Sequence, residues 1–195
     1  MKEPLNLIIA GIGGQGLVMT TQFICQAAFL EGCDLKSNDV IGLAQRGGRV
    51  WGSVRFGDNV ASPNVPPGAG DYLIGIEPME ALRWRHVLKD TAKLVVNTRQ
   101  VAPTEVQQEK APYPEAEIEN LVKTFDTLQL DAVAEAMRCG NGKAANTLMV
   151  GCLAKWLPIS QDNWIRAIHN TYPEKLHEVN EKAFSKGVEL AEEWK

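Results

Sequence analysis

The chain has 195 residues, of which 45% are hydrophobic and 23% are charged, and its formal net charge at pH 7 is −4. These values are ordinary for a globular protein, and the length allows one large domain or two small ones. The negative charge gives no general attraction to nucleic acid or anionic membranes, no apolar run is long enough to span a bilayer, and the first residues lack the pattern of a secretory signal. We therefore expect a cytoplasmic protein with neither nucleic acid nor membrane as partner.

The first predicted elements are a buried strand, a glycine loop and a helix. Residues 5–10 form a nearly continuous apolar run, as is typical of a parallel strand covered on both faces. Gly11, Gly13 and Gly16 follow with the spacing G-x-G-x-x-G, and residues 17–31 have the apolar pattern of a helix. This order of elements is the context in which such a motif binds phosphate groups.

The glycine loop, which also contains Gly14 and Gln15, has two interpretations. Glycine lets a backbone turn sharply, and the start of the helix presents unpaired amides and a partial positive charge, so the loop fits an anion or nucleotide site. The same glycines also fit tight packing of the strand against the helix, and the motif alone does not decide. Because Gln15 and Gly16 occupy the positions of the lysine and hydroxyl residue of a Walker motif, we do not expect ATP hydrolysis.

Residues 33–40 hold a weakly patterned second strand after Gly32, which predicts the end of the helix. A dinucleotide-binding enzyme places an acidic residue about 20 residues beyond its glycine loop. Asp34 and Asp39 are candidates by distance, but their segment lacks the clean apolar strand that normally carries such an acid. Exposure to solvent explains both aspartates more simply.

A second glycine-rich stretch, GLAQRGGRVWGSVRFG, covers residues 42–57. Gly47 and Gly48 predict a sharp turn, and residues 49–56 alternate between apolar and polar side chains as a strand does. One interpretation of the stretch is a solvent-exposed hairpin. The other is a loop that holds a phosphate-bearing ligand or an acidic partner surface.

The arginines of this stretch support the second interpretation. Arg46, Arg49 and Arg55 precede the next acid, Asp58, and we expect them to form a local positive patch on an acidic protein. The planar guanidinium group suits both phosphates and carboxylates because it donates two parallel hydrogen bonds.

The middle of the chain repeats a strand–helix–strand pattern. A loop rich in Pro and Gly covers 58–71, and a buried strand is predicted over 72–77. Pro78 then opens a helix over 79–89, and a short buried strand covers 93–97. This pattern predicts an α/β fold with a largely parallel sheet.

The C-terminal half is predicted to be mainly helical after a polar excursion over 99–118 and a last strand over 122–125. An excursion of that length is uncommon without a function, so we expect it to contact a partner. The whole chain, 1–195, is expected to be one three-layer α/β domain with a helical C-terminal part. The predicted helices cover 131–139, 143–157, 160–170 and 173 onwards, with Asn141 and Ser160 as caps and Asn180 as a buried amide that needs a partner.

Residues that would make the chain a self-sufficient enzyme do not come together in the sequence. The four cysteines include no C-x-x-C pair and the three histidines are scattered, so we expect no iron–sulfur cluster and no zinc. No G-x-S-x-G elbow is present. Glu77 and Glu80 flank the start of a predicted helix, where they more simply complement the helix dipole than form an acid–base pair. This profile favours a binding or non-catalytic subunit.

The two glycine-rich stretches together resemble the gamma-type domain of 2-oxoacid:ferredoxin oxidoreductases. Two positions depart from that pattern: Leu43-Ala44 replaces Met-Ser, and Arg49 replaces a small hydroxyl residue. The resemblance covers nearly the whole chain, and within the family the sequence is most similar to the indolepyruvate branch. Its other parts are GDYLIGIEPMEALR at 70–83, LVVNT at 94–98, NTRQVAP at 97–103, YPE at 113–115, AANTLMVGCLAKWLP at 144–158 and VNEKAFSKG at 179–187.

The resemblance implies a subunit of a multisubunit enzyme that oxidatively decarboxylates a 2-oxoacid, forms an acyl-CoA and reduces ferredoxin. It also implies that thiamine diphosphate and iron–sulfur clusters lie on partner chains, that coenzyme A is a co-substrate, and that this chain has no catalytic residue and is inactive alone. Alanine at Arg46 should then weaken assembly or the dependence on coenzyme A. The residues expected to face the ligand or partner are Gly11, Gly13, Gly14, Gln15, Gly16, Gln45, Arg46, Gly47 and Gly48.

Two other functions compete with this one. A stand-alone dinucleotide-binding dehydrogenase is supported by Gly11, Gly13, Gly16 and Asp34, but a second domain and a convincing catalytic residue are missing from the sequence. A nucleotide-binding regulator is the other alternative, and only ligand titration separates it from the first.

Overall fold

A computed structural model describes residues 3–41, 47–101 and 112–194, which form one six-stranded sheet with helices on both faces. The strands lie in the order β2-β3-β1-β4-β5-β6. The neighbouring pairs β1–β4, β4–β5 and β5–β6 are parallel. Strand β3 runs antiparallel to both β1 and β2. The α/β prediction with a largely parallel sheet is therefore confirmed. The strands are β1 (Leu5–Ile12), β2 (Asp34–Ile41), β3 (Arg49–Gly57), β4 (Gly70–Gly75), β5 (Leu88–Asn97) and β6 (Asp126–Leu130).

The helices form the two outer layers. In the described residues they are α1 (Leu17–Leu30), α2 (Pro78–Arg83), α3 (Glu115–Thr124), α4 (Ala132–Arg138), α5 (Ala145–Ala154), α6 (Gln161–Thr171) and α7 (His177–Glu193). The larger core lies between one face of the sheet and α1, α4, α5, α6 and α7, and the smaller core lies under α2 and α3. None of these helices is long and apolar enough to cross a membrane.

Strand β1 contributes to both cores, which explains its unbroken apolar run. Leu7 and Ile9 lie in the larger core, while Ile8 and Ala10 lie in the smaller one. Successive side chains of a strand point to opposite faces, so a strand covered on both sides is apolar at nearly every position. The predicted helix after the glycine loop is also confirmed, and Gly32 follows it with a φ of +85°.

Two predicted segments in the middle of the chain are wrong. The helix predicted over 79–89 ends at Arg83, because Leu88 already begins the ten-residue strand β5. The strand predicted over 122–125 belongs to the end of α3, whose buried residues Ile118 and Leu121 have helical spacing. The prediction of an excursion over 99–118 is also wrong for residues 115–118, which form the start of α3.

The C-terminal predictions hold with small changes. Asn141 accepts a hydrogen bond from the Lys143 amide at 3.0 Å, and a short 3₁₀ turn then leads into α5. The buried Asn180 finds its expected partners, because it donates to the Leu176 carbonyl and accepts from the Thr147 hydroxyl. Ser160 occupies the predicted N-cap position of α6, but its side chain makes no capping hydrogen bond.

Candidate functional site

The two glycine-rich stretches lie side by side at the end of β1. The Gly13 amide donates to the Gly48 carbonyl at 2.8 Å, and the Gly47 amide donates to the Gly13 carbonyl at 3.4 Å. These bonds extend the pairing of β1 with β3 beyond the strands. Gln45 and Arg46, two of the predicted contact residues, lie outside the described residues, so their function stays a prediction.

The glycines of the first loop are required for different reasons. Gly14 and Gly16 have φ angles of +97° and +81°, a conformation that strains other residues. Gly11 lies within β1, where a Cβ would be 3.0 Å from Gln15 Oε1 and 3.1 Å from Ile76 Cβ. The loop therefore depends on glycine for its backbone shape and for its close approach to the neighbouring strand connection.

Two amide side chains hold the loop in place. Gln15 Oε1 accepts a hydrogen bond from the Ile12 amide at 2.7 Å. Asn146, at the start of α5, donates to the Gln15 carbonyl at 2.8 Å and to Thr20 Oγ1 at 2.9 Å. The first turn of α1 contains no acidic residue, and its N-cap, Gly16, has no side chain to satisfy the free amides. The helix start is therefore still able to interact with an anion.

A cavity of about 520 Å³ lies beside this loop, at the carboxyl ends of β1, β4 and β5. Arg99 and Lys143 line it, and none of its described lining residues is acidic. The cavity is therefore electropositive, although the whole chain is acidic. Ligands of open α/β sheets bind in this position, outside the carboxyl ends of the strands. Its lining residues are Gly14, Gln15, Gly16, Ile76, Asn97, Arg99, Val101, Val133, Gly142, Lys143, Ala145 and Asn146.

The sequence-based prediction missed Arg99, Lys143, Asn97 and Asn146 as site residues. Asn97 ends β5 and fixes the backbone around the cavity, because its side chain donates to the Ile76 carbonyl and accepts from the Ala132 amide. A signal was available, since polar residues that directly follow a buried parallel strand lie at the edge where ligands bind. Lys143 carried no comparable signal, because its position depends on how α5 packs.

The predicted patch of three arginines is wrong for Arg55. Arg55 pairs in register with Asn6 and Arg49 with Ile12, so the two arginines lie about 20 Å apart along β3. Arg55 donates to Asn6 Oδ1 at 2.7 Å and to the Ser62 carbonyl at 2.8 Å, and it thereby anchors the loop rich in Pro and Gly. It has a structural function at the end of the sheet opposite the cavity.

The acids proposed for a ribose do not face the cavity. Asp34 begins β2, level with the start of β1, and accepts a hydrogen bond from the Val60 amide at 2.7 Å. Asp39 accepts from the Thr21 hydroxyl at 2.8 Å against α1, and partial burial raises the pKa of its carboxyl. The hypothesis of a dinucleotide-binding dehydrogenase therefore loses the acidic residue that supported it.

The described residues offer the cysteines no partners for a metal ion, and the cysteine thiols are poor nucleophiles. All four are free, and burial raises the pKa of the Cys152 thiol to about 12. Burial is also the main cause that raises the pKa of Cys25, Cys33 and Cys139. A raised pKa disfavours the thiolate, which is the form that binds metals and attacks substrates. Across 3–41, 47–101 and 112–194, no three His, Cys, Asp or Glu side chains form a group that could hold a metal ion.

A second cavity, of about 560 Å³, lies at the opposite end of the sheet. Glu3, Glu31 and Asp58 line it, which gives it the opposite charge to the cavity beside the glycine loop. None of the predicted contact residues that the structure describes lines this second cavity. We therefore place the candidate site at the electropositive cavity, despite its slightly smaller volume.

The fold and this cavity define an α/β protein with an anion-receptive site at the carboxyl edge of its sheet. The family model described as pyruvate ferredoxin/flavodoxin oxidoreductase matches residues 6–190, and the chain belongs to that family. The chain is 35% identical over 199 residues to indolepyruvate oxidoreductase subunit IorB of Pyrococcus horikoshii, covering 99% of this chain and 98% of that protein. It is 27% identical to the pyruvate/ketoisovalerate oxidoreductases common subunit gamma of Pyrococcus furiosus, covering 93% and 94%.

Solved structures share the fold of this chain. The gamma subunit of a keto/oxoacid ferredoxin oxidoreductase from Geobacter sulfurreducens superimposes with a TM-score of 0.72 at 22% identity, covering 97% of this chain and 99% of that one. A chain of the 2-oxoglutarate:ferredoxin oxidoreductase from Magnetococcus marinus gives a TM-score of 0.77 at 17% identity, and the match covers 100% of this chain but 32% of that one. At these identities the matches show the fold alone. The resemblance found in the sequence is confirmed by the family match.

Proposed function

We propose that this chain is a non-catalytic subunit of a multisubunit 2-oxoacid:ferredoxin oxidoreductase, with indolepyruvate as the favoured 2-oxoacid. The complex would oxidatively decarboxylate the 2-oxoacid to an acyl-CoA and reduce ferredoxin. The proposal is supported by relatives that align over nearly their whole length and are named as subunits of such oxidoreductases. We further propose that 1–195 is a single gamma-type domain.

We place thiamine diphosphate and the iron–sulfur clusters on partner chains. The spacing of the four cysteines, which include no C-x-x-C pair, supports this placement for the clusters. The contribution of this chain would then be to bind a ligand and to complete the site of the complex.

The ligand that best fits the cavity is the phosphate-bearing part of coenzyme A. Arg99 and Lys143 supply positive charge, and the start of α1 supplies free amides that phosphates accept readily. The volume is within the range of small-molecule sites. The observation that carries this proposal is that Arg99, Lys143 and the glycine loop line the same cavity, and that no carboxylate of the described residues lines it.

The first experiment tests membership of a complex. A tagged chain is purified anaerobically from its native cell, and the eluate is assayed for dye reduction that depends on a 2-oxoacid. We expect an iron-bearing partner and activity that is highest with indolepyruvate. A chain that elutes alone, without iron and without such activity, would contradict the proposal.

The second experiment tests the cavity. Coenzyme A and inorganic pyrophosphate are titrated into the purified full-length chain by calorimetry, with NAD(H) as the probe of the regulator alternative. We expect Arg99→Ala and Lys143→Ala each to raise the Kd for coenzyme A by about 10- to 150-fold, the usual range for one charge-assisted hydrogen bond. Arg85→Ala and Lys175→Ala remove exposed cations outside the cavity lining and serve as matched controls. Equal affinities in all four variants would refute the assignment of this cavity.

A further inference from the structure

The buried carboxylate of Glu77 connects two parts of the chain that are distant in sequence. Glu77 follows β4 as the N-cap of α2, and its side chain is fully buried. Its Oε2 accepts a hydrogen bond from the Glu80 amide at 3.0 Å, which is an ordinary capping bond. Its Oε1 accepts from the Val101 amide at 3.3 Å and from the Tyr113 hydroxyl at 2.5 Å. Capping explains the first bond but neither of the other two.

The second pair of bonds reaches the rim of the electropositive cavity. Val101 lines the cavity together with Arg99, two residues earlier. On the other side of Arg99, the side chain of Asn97 accepts a hydrogen bond from the Arg99 amide at 3.4 Å. The backbone of Arg99 is therefore held between Asn97, at the end of β5, and Val101, which is fixed by Glu77. Two anchors of this kind restrict where the guanidinium group can reach.

The hydrogen bond from Tyr113 to Glu77 is suited to hold the Glu77 side chain in one position. Partial burial, together with the hydrogen bond to the Glu77 carboxylate, raises the pKa of Tyr113. The phenol therefore keeps its proton and remains a donor at neutral pH. Because the acceptor is a buried carboxylate, the bond is of the charge-assisted kind, which is shorter and stronger than a neutral one.

We infer that Glu77 is a positioning residue of the anion cavity, and that with Tyr113 it holds Arg99 at the cavity rim. The inference rests on the proposed function, because it assumes that the cavity binds an anionic ligand. Glu77 itself does not line the cavity, so its effect on the ligand passes through Val101 and Arg99. Capping of α2 alone would leave the affinity for the ligand unchanged.

The test compares two pairs of matched variants in the full-length chain. Tyr113→Phe removes only the hydroxyl that donates to Glu77, and Tyr72→Phe removes a hydroxyl that donates to the Trp156 carbonyl, away from the cavity. Glu77→Gln and Glu80→Gln each neutralise a buried carboxylate of the same helix start, but Glu80 has no bond to Val101 or Tyr113 in the described residues.

Two readouts are measured for each variant: the Kd for coenzyme A and the hydrogen-exchange rate of the Val101 amide. We expect Tyr113→Phe and Glu77→Gln to raise the Kd about tenfold, as is common for changes within a coupled network, and to accelerate exchange at Val101. We expect the two control variants to match the wild type in both readouts. The pH dependence of binding between pH 6 and 9 should stay that of the wild type, because the phenol does not titrate there.

The outcomes separate this inference from the proposed function. If Arg99→Ala weakens binding but Tyr113→Phe leaves the Kd and the exchange of Val101 unchanged, the positioning by Glu77 is refuted while the cavity stands. If the wild-type chain binds neither coenzyme A nor pyrophosphate, the cavity assignment fails and the inference fails with it. If Glu77→Gln does not fold, Tyr113→Phe and its control decide the question alone.

Discussion

The crossing of α5 and α7 permits a sharp prediction, because two glycines bring the helix backbones into direct contact. A Cβ at Gly187 would lie 2.0 Å from the Leu148 carbonyl oxygen and 3.0 Å from the Gly151 Cα. Ordinary contacts of a Cβ begin at 3.4 Å, so Gly187→Ala must separate the two helices by about 1.4 Å. The obstacles are backbone atoms, which cannot rotate away as a side chain can.

The expected loss of stability follows from this geometry. Helix α5 is buried along almost its whole length and cannot retreat without disturbing the larger core. Overpacking of a core costs about 1–3 kcal/mol and sometimes more, and we place this case at ~3–4 kcal/mol because backbone must move. The higher helix propensity of alanine offsets ~1 kcal/mol. We therefore expect Gly187→Ala to lower the free energy of unfolding by ~2–3 kcal/mol.

The measurement is urea denaturation followed by tryptophan fluorescence at pH 7. Gly142→Ala is a matched control, because its Cβ would meet only side-chain atoms: Met137 Sδ at 3.1 Å, on an exposed and flexible side chain, and Val133 Cγ1 at 3.3 Å. We expect this control to stay within ~0.5 kcal/mol of the wild type. An unchanged urea midpoint for Gly187→Ala would refute the argument that backbone contact limits the crossing.

Two further predictions concern polar anchors. The Glu31 carboxylate accepts hydrogen bonds from Asn163 and Ser160, and these bonds lower its pKa below the ordinary 4.5. The stabilisation that Glu31 provides is therefore present above pH 4.5 and is lost as the pH falls through the lowered pKa. Glu31→Gln should therefore unfold at lower urea than the wild type at pH 7, and the difference should shrink below pH 4.5 in parallel denaturation series; a difference independent of pH would contradict this. Asn146→Ala removes the bond to the Gln15 carbonyl and should reduce stability by ~1–2 kcal/mol and weaken coenzyme A binding, measured by denaturation and calorimetry, whereas unchanged values would show that the loop holds itself.

Local patterns predicted most of the elements of this fold correctly. The apolar run, the glycines and the following helix were predictable because their causes lie within a few residues, in strand burial and in left-handed backbone at Gly14 and Gly16. Asn180 was predictable for a similar reason, since a buried amide must find partners. The end of α3 was mistaken for a strand because a four-residue segment with only Val122 and Phe125 as apolar residues is too short to distinguish the two types of structure.

The candidate site was only partly predictable. Gly13 and Gly48 were expected to face the same ligand or partner, and the structure shows that their loops are hydrogen-bonded to each other. Arg99 was not predicted, although it closely follows the buried strand that ends at Asn97, because the sequence does not show which strand ends lie next to the glycine loop. Arg55 was assigned to the wrong place, since the sequence shows its spacing from the other arginines but not the direction of the strand relative to its neighbours.

The sequence by itself determined the α/β class, the glycine loop with its helix, and the family, because each of these depends on residue types at short or fixed spacings. Only the tertiary structure decided the strand order and the antiparallel placement of β3 between β1 and β2. Backbone hydrogen bonds between strands are chemically alike whichever strands pair, so the order is set by the packing of the whole core. That order brings the ends of β1, β4 and β5 together and thereby places Arg99 and Lys143 at the glycine loop.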